Sequence, residues 1–268
     1  MNKPEQAVTR LLGQTPGAVR PLSGGDLSAV FCVTMPDGAS FVAKQAGNVA
    51  AEADMLRRMN RTGVRVPDVV ACEGEWMILS HEDGTGRLDG GAWDDLAAQL
   101  SLLHRPVDER YGWDRDHAFG AVGIANARCD DWPQFWAERR LRPHLSHVDA
   151  ALGDRIAGLC RRIGDILPAR PDAALLHGDL WGGNVMVGGG GACTLIDPAC
   201  YFGHREVDWA MLTLFNAPPD RFFDAMEPEP GWRARLGCYR LWPLLVHLRL
   251  FGASYRAGVE RELSDLGA

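Results

Sequence analysis

The residues best suited to chemistry are oxygen-bearing and cluster late in the chain. His177-Gly178-Asp179-Leu180-Trp181-Gly182-Gly183-Asn184 is followed by Ile196-Asp197-Pro198. Asn184 comes five residues after Asp179, and Asp197 thirteen after Asn184. Between the last two lie an apolar run, Val185–Val187, then four glycines, then a second apolar run, Cys193–Ile196. That order predicts strand, turn, strand, and a hairpin brings Asn184 and Asp197 at its two ends close together. An amide oxygen beside a carboxylate suits Mg²⁺, a hard cation that takes oxygen ligands and shares substrate phosphates. Asp179, ahead of the hairpin, is placed to orient or deprotonate an attacking hydroxyl. HGD by itself is weak, and the Asp-to-Asn stretch also reads as a surface turn satisfied by its own side chains. The whole ordered set points to phosphoryl transfer.

Such chemistry needs a cation on the phosphates. Of 28 basic residues only Lys3 and Lys44 are lysine, so Lys44 is the one ammonium in the body of the chain. The elements around it read as a small β-rich region. Residues 4–13 suggest a helix, and Pro21 a break. Ala29–Met35 is a strand, Pro36-Asp37-Gly38 a turn, and Phe41–Lys44 the returning strand. A helix over Val49–Met59 and strands near Val69–Cys72 and Trp76–Ser80 come next. Ser23-Gly24-Gly25-Asp26 precedes the first long strand; glycines there let backbone N–H groups approach phosphate. It is neither a Walker A loop nor G-x-G-x-x-G, and Gly24-Gly25 alone reads as an ordinary turn. With Lys44 on the next strand, the pair is similar to a glycine-rich loop plus strand lysine. Glu52, on the next helix, is the candidate to hold the ammonium, with Glu73 and Glu75 as competitors.

The glycine- and charge-rich stretch 81–91 is the expected linker. It divides an N-terminal lobe, 1–82, from a C-terminal lobe, 83–268. Beyond it the signals are helical: a helix from Trp93 to His104, one over Trp132–Leu145 capped by Asp131, one over Val148–Ile166, and helices from Glu206 on. The fold class is α+β, a small β-rich lobe with a larger, mainly helical one.

Composition removes other classes. Hydrophobic residues make up 46% and charged residues 24%, which excludes wholesale disorder. No apolar stretch is long enough for a membrane span, no secretory leader is visible, and a net charge of −7 argues against a nucleic-acid partner. Seven cysteines without a C-x-x-C pair read as reduced thiols of a cytoplasmic protein.

HGDLWGGN followed by IDPACYFGHREVDWAM resembles the signature of the fructosamine kinase (ketosamine-3-kinase) family, in the aminoglycoside-phosphotransferase branch of the protein-kinase-like fold. YGWDRDHAFGAVGIAN (111–126), DWPQFWAERRL (131–141) and LGCYRLWPLLVHLRLFGASY (236–255) extend the likeness over nearly the whole chain. The resemblance implies ATP- and Mg²⁺-dependent phosphorylation of the 3-hydroxyl of a ketosamine, a free sugar-amine or a glycated lysine, which promotes deglycation. It implies Asp179 as the catalytic carboxylate, Asn184 and Asp197 as metal ligands, Lys44 on the phosphates, Glu52 as its partner, and adenine against the linker near Met77–Glu82, with Met77 and Leu79 beside it. Asp208 would brace the catalytic loop, with His177 supporting it. Trp181 is a candidate wall for the sugar, or else a core tryptophan. The protein would act as a monomer or homodimer. The likeness departs at GGDLSA (24–29), where many relatives carry a cysteine. Aminoglycoside, choline or homoserine kinases and a silent nucleotide-binding regulator are the rival readings. No H-R-D, D-F-G or A-P-E string supports a protein kinase.

Overall fold

A computed structural model of the chain describes residues 3–22, 28–84 and 86–268. The expected glycine turn, with Gly24 and Gly25, lies outside the described residues. In order the elements are α1 (Pro4–Leu12), β1 (Ala18–Pro21), β2 (Ala29–Thr34), β3 (Ser40–Gln45), α2 (Val49–Asn60), β4 (Val69–Glu73), β5 (Trp76–Ser80) and α3 (Gly90–Leu103). Then come β6 (His117–Phe119), β7 (Val122–Ile124), α4 (Trp132–Trp136), α5 (Ala150–Arg161), β8 (Ala174–Leu176), β9 (Val185–Val187), β10 (Cys193–Leu195), β11 (Tyr201–Gly203), α6 (Glu206–Phe215), α7 (Asp220–Asp224), α8 (Trp232–Phe251) and α9 (Arg256–Asp265).

Two compact units result. One is Met1–Leu102 with Gly183–Pro198; the other is Leu103–Gly182 with Ala199–Ala268. The first is built on a five-stranded antiparallel sheet of order β1-β2-β3-β5-β4. Pro21, read from sequence as a break, instead closes the edge strand β1, where a missing N–H does little harm. Along β3, successive side chains point to opposite faces of the sheet. Ala43 joins Ala7, Val8, Val33, Met35, Trp76 and Ile78 in a core under α1. The larger aliphatic groups there, fully buried, contribute roughly 2 kcal/mol each. Lys44, the next residue, faces the opposite side, where α2 supplies Glu52. In the β3–β5 register Lys44 stands opposite Met77 and Val42 opposite Leu79, so Met77 and Leu79 share the lysine's face. Both are buried.

The β9–β10 hairpin belongs to this first unit for a visible reason. Leu195 N–H donates to Arg65 O at 2.9 Å, and Arg65 Nε donates to Cys193 O at 3.0 Å. Cys193 N–H donates to Asp95 on α3 at 2.7 Å, and Asp95 also pairs with Arg65. The Arg65 N–H is taken by Gln99 Oε1 at 2.8 Å. One turn after α2 and one face of α3 thus grip the hairpin from both sides.

In the second unit β8 pairs with β11, and α6 packs on the long helix α8. Its core is aromatic. Trp132 Nε1 donates to Tyr239 Oη at 2.9 Å, and His204 Nδ1 lies 2.7 Å from the same oxygen. The span 132–145, expected as one helix, changes pitch twice. After α4 comes a π-helical turn, Ala137–Leu141, in which Arg142 N–H reaches Ala137 O, and then a 3₁₀ stretch, Arg142–His147. Pro143 accounts for the break, since it has no N–H to give an α-helical bond. The widened turn carries Arg140, wholly buried, with its guanidinium 4.2 Å from the ring centre of Tyr201 and 4.8 Å from that of Trp242. All seven cysteines are free thiols. Among the described residues no helix is long and apolar enough to cross a membrane.

Candidate active site

In the first unit three predicted residues meet. Lys44 Nζ donates to Glu52 Oε1 at 2.7 Å and to Asp197 Oδ1 at 2.8 Å. The Lys44 and Glu52 side chains are 8% exposed, that of Asp197 45%. Glu73 and Glu75, the competitors for the lysine, lie elsewhere: Glu73 beside Arg10 and Glu75 beside Gln45. Burial works against the Lys44 charge, but Glu52 and then Asp197 outweigh it and hold the ammonium above its ordinary pKa. It is a permanent cation with one carboxylate partner facing solvent.

The hairpin delivers the oxygen donors. Val185 stands opposite Leu195, and Ile196 N–H donates to Asn184 O at 3.1 Å. Asn184 and Asp197 therefore flank the same end of the ladder. Asn184 is buried, and Asp197 adopts a left-handed backbone at φ 53°. Aspartate tolerates that region better than most residues, and such backbone outliers cluster at functional sites. The donor set, one carboxylate and one amide oxygen, fits Mg²⁺, which completes its shell with water and phosphate oxygens. It does not suit zinc, which prefers nitrogen and sulfur. Met77 and Leu79 line the sheet face that carries Lys44.

The second unit positions Asp179. The loop that bears it leaves β8 and is fixed at its root by Asp208, in the first turn of α6. His177 N–H donates to Asp208 Oδ2 at 2.8 Å and Gly178 N–H to Oδ1 at 2.9 Å. His104 Nε2 lies 2.9 Å from Oδ2. Asp208 is wholly buried. Burial opposes its ionisation, but the His104 hydrogen bond and charge, with the backbone donors, hold its carboxyl below the usual range. Gly178 cannot be replaced here: φ is 81°, and a Cβ would stand 2.1 Å from Ala199 O. Ala199 N–H in turn donates to His177 O at 2.8 Å. The buried His177 ring accepts from Asp179 N–H at Nδ1, 3.3 Å away. Trp181 is 41% exposed and packs edge-on against Phe215, so the core alternative for it does not hold.

Sequence reasoning misses three groups. His104 braces the brace; in the sequence it marks only a helix end. Arg65, Asp95 and Gln99 set the hairpin without any motif of their own. Asn216 accepts from Gly182 N–H at 2.8 Å and so fixes the tryptophan's neighbour.

The chain is similar to known proteins over nearly its whole length. The sequence profile of the family described as fructosamine kinase matches residues 1–267. A probable ketoamine kinase of Thermus thermophilus is 34% identical over 92% of this chain and 94% of its own. The chloroplastic protein-ribulosamine 3-kinase of Oryza sativa subsp. japonica is 29% identical over 92% of this chain and 78% of its own. The crystal structure of a candidate fructosamine-3-kinase from Thermobifida fusca superposes with a TM-score of 0.90 at 29% identity, covering 98% of both chains. An aminoglycoside phosphotransferase solved with ADP and hygromycin B has a TM-score of 0.68 at 16% identity, covering 97% of this chain and 98% of its own. The fold is thus the α+β, protein-kinase-like one. The chain belongs to the fructosamine kinase family, phosphotransferases that act on a hydroxyl group.

Proposed function

We propose that the chain transfers the γ-phosphoryl group of ATP to the 3-hydroxyl of a ketosamine, a fructosamine or ribulosamine on a small amine or a lysine side chain, and so promotes deglycation. The observation that carries this reading is the Lys44 ammonium held between Glu52 and Asp197. Lys44 neutralises phosphate oxygens as a point charge, and Glu52 keeps it aimed. Met77 and Leu79 offer apolar surface to adenine on the same sheet face. Asn184 and Asp197 would hold Mg²⁺, which would supply positive charge to neutralise the phosphates. Asp179, on a loop fixed by Asp208 and His177, orients the acceptor hydroxyl and takes its proton as the O–P bond forms. Trp181 presents an aromatic face to the sugar. Gly24 and Gly25 are assigned to the phosphates by family likeness alone.

The direct experiment supplies Mg-ATP with fructosyl-lysine and ribulosyl-lysine and locates the new phosphate by NMR. Phosphorylation at the 3-oxygen of either is the expected result. Turnover confined to an aminoglycoside, choline or homoserine would sink the reading, as would ATP binding without turnover of any acceptor.

A further inference from the structure

The chain contains nine tryptophans, nine phenylalanines and four tyrosines. Among the described residues the exposed large hydrophobic side chains are Leu22, Val70, Val107, Trp181, Phe215 and Phe251. The three aliphatic ones are scattered. The three aromatic ones belong to a single strip in the second unit. Trp181 meets Phe215 at 5.9 Å between ring centres, Phe215 meets His247 at 5.4 Å, and His247 meets Phe251 at 5.4 Å and Tyr255 at 4.9 Å. The strip therefore starts two residues after Asp179 and runs over the end of α6 to the end of α8.

It is a built surface. Asn216, next to Phe215, holds the Gly182 N–H and so fixes Trp181 at the head of the strip. Gly252 has φ 85° and ψ −164°, a conformation open only to glycine, which ends α8 just after Phe251. The turn Ala253–Tyr255 then doubles back and lays Tyr255 against Phe251 and His247. His247 Nδ1 donates to Pro243 O at 2.7 Å, which fixes the ring between its neighbours. Burial lowers its pKa, so the imidazole stays neutral near pH 7. The strip carries aromatic faces and no anionic side chain of its own.

In a ketosamine the amine nitrogen is only a few bonds from the 3-oxygen, so the amine's substituent must leave the reaction centre close to the acceptor sugar. The geometry points to Phe215, Phe251 and Tyr255 as a subsite for that substituent, selecting ketosamines whose amine carries an apolar chain or ring. This rests on the roles proposed for Asp179 and Trp181, and on the continuity of the strip with the loop they share.

The test compares two acceptors, the fructose adducts of benzylamine and of glycine, in wild type, Phe251→Ser and Phe215→Ser, with Val70→Ser as a control on an exposed apolar residue elsewhere. The readout is the ratio of KM for the two acceptors. Wild type and the control should favour the benzylamine adduct. Each strip variant should lower that preference by roughly three- to tenfold, the size of one aromatic contact, with kcat on the benzylamine adduct little changed. Equal KM values in wild type, or an unaltered ratio in both strip variants, would overturn the subsite. So would a strip variant that converts a dimer to a monomer with the ratio intact, because the strip would then cover a second copy. Failure of wild type to phosphorylate any ketosamine removes the functional reading, and the subsite falls with it. Turnover of both adducts without selectivity removes the subsite alone.

Discussion

Two carboxylates in this protein sit among cations and N–H donors and behave differently. Asp208 is sealed: its side chain is 0% exposed and that of His104, which lies within hydrogen-bond distance, 3%. Asp197 holds Lys44 with one oxygen, yet its side chain is 45% exposed. A sealed carboxylate with both oxygens committed to N–H donors can only fix geometry. One that keeps a face to solvent can exchange a partner for an arriving ligand. The first arrangement suits scaffolding and the second suits chemistry, and burial separates them where residue type does not.

The sharpest way to break that distinction is through the residue the scaffold exists to hold. Asp179→Asn should lower kcat by about 10²–10⁴-fold, the usual worth of a general base. Its melting temperature should stay within roughly 2 °C of wild type. Calorimetry and steady-state kinetics on one preparation check both. Asp208→Ala should do the reverse and act on stability first. It leaves His104 and two buried N–H groups without their acceptor, at about 3–5 kcal/mol, visible as a loss of roughly 10 °C in Tm. A variant of Asp208 with native Tm would show that the sealed site is not a scaffold.

Lys44→Arg probes the open site. Positive charge is retained but the compact ammonium is not, and a planar fork does not fit between Glu52 and Asp197 in the same way. kcat/KM for ATP should fall by roughly 10–100-fold, in line with losing one well-placed donor. Wild-type kinetics in this variant would mean that charge alone suffices.

Acid should also separate the two units. His144 and His204, both in the second unit, are buried and have their pKa pushed down to about 3. In the unfolded chain they protonate below about 6.5, in the native state only near 3. The unfolded state therefore binds more protons across that window, and stability falls as pH drops, by up to ~1.4 kcal/mol per pH unit for each imidazole. Asp208, held below the usual carboxylate range, adds to the same trend below about pH 4. Tm measured from pH 7 to 4 should decline, with a shallower slope in His144→Gln. Hydrogen exchange should show α8 opening before β3 and β5.

Much of this molecule is legible in sequence where a local pattern coincides with the physics. The β2–β3 hairpin, α2 and the β9–β10 hairpin come from alternation, turn residues and helical spacing, and they carry Lys44, Glu52, Asn184 and Asp197 with them. The spacing of Lys44 and Glu52 leaves Glu73 and Glu75 in contention; only strand register, which aims Lys44 at α2, resolves it. The second unit is harder to read. His104 and Asp208 are 104 residues apart, and nothing in either neighbourhood encodes the other. The π-helical turn at Ala137–Leu141 looks like ordinary helix in its pattern, because aromatic packing and a downstream proline, not periodicity, set its pitch. Arg65 and Asp95 grip the hairpin through backbone groups, which leave no mark on residue type.

The single lysine of the body has a consequence for the chain's own chemical durability. An amine attacks a sugar's carbonyl carbon only when its nitrogen is reachable and carries a free lone pair. Lys44 is 6% exposed and its pKa is raised, so it offers neither. That leaves Lys3 as the one exposed lysine, while arginine supplies every other positive side chain. Any glycating sugar around this protein meets almost no lysine to modify, and the buried one is shielded by the two carboxylates, Glu52 and Asp197, that hold it.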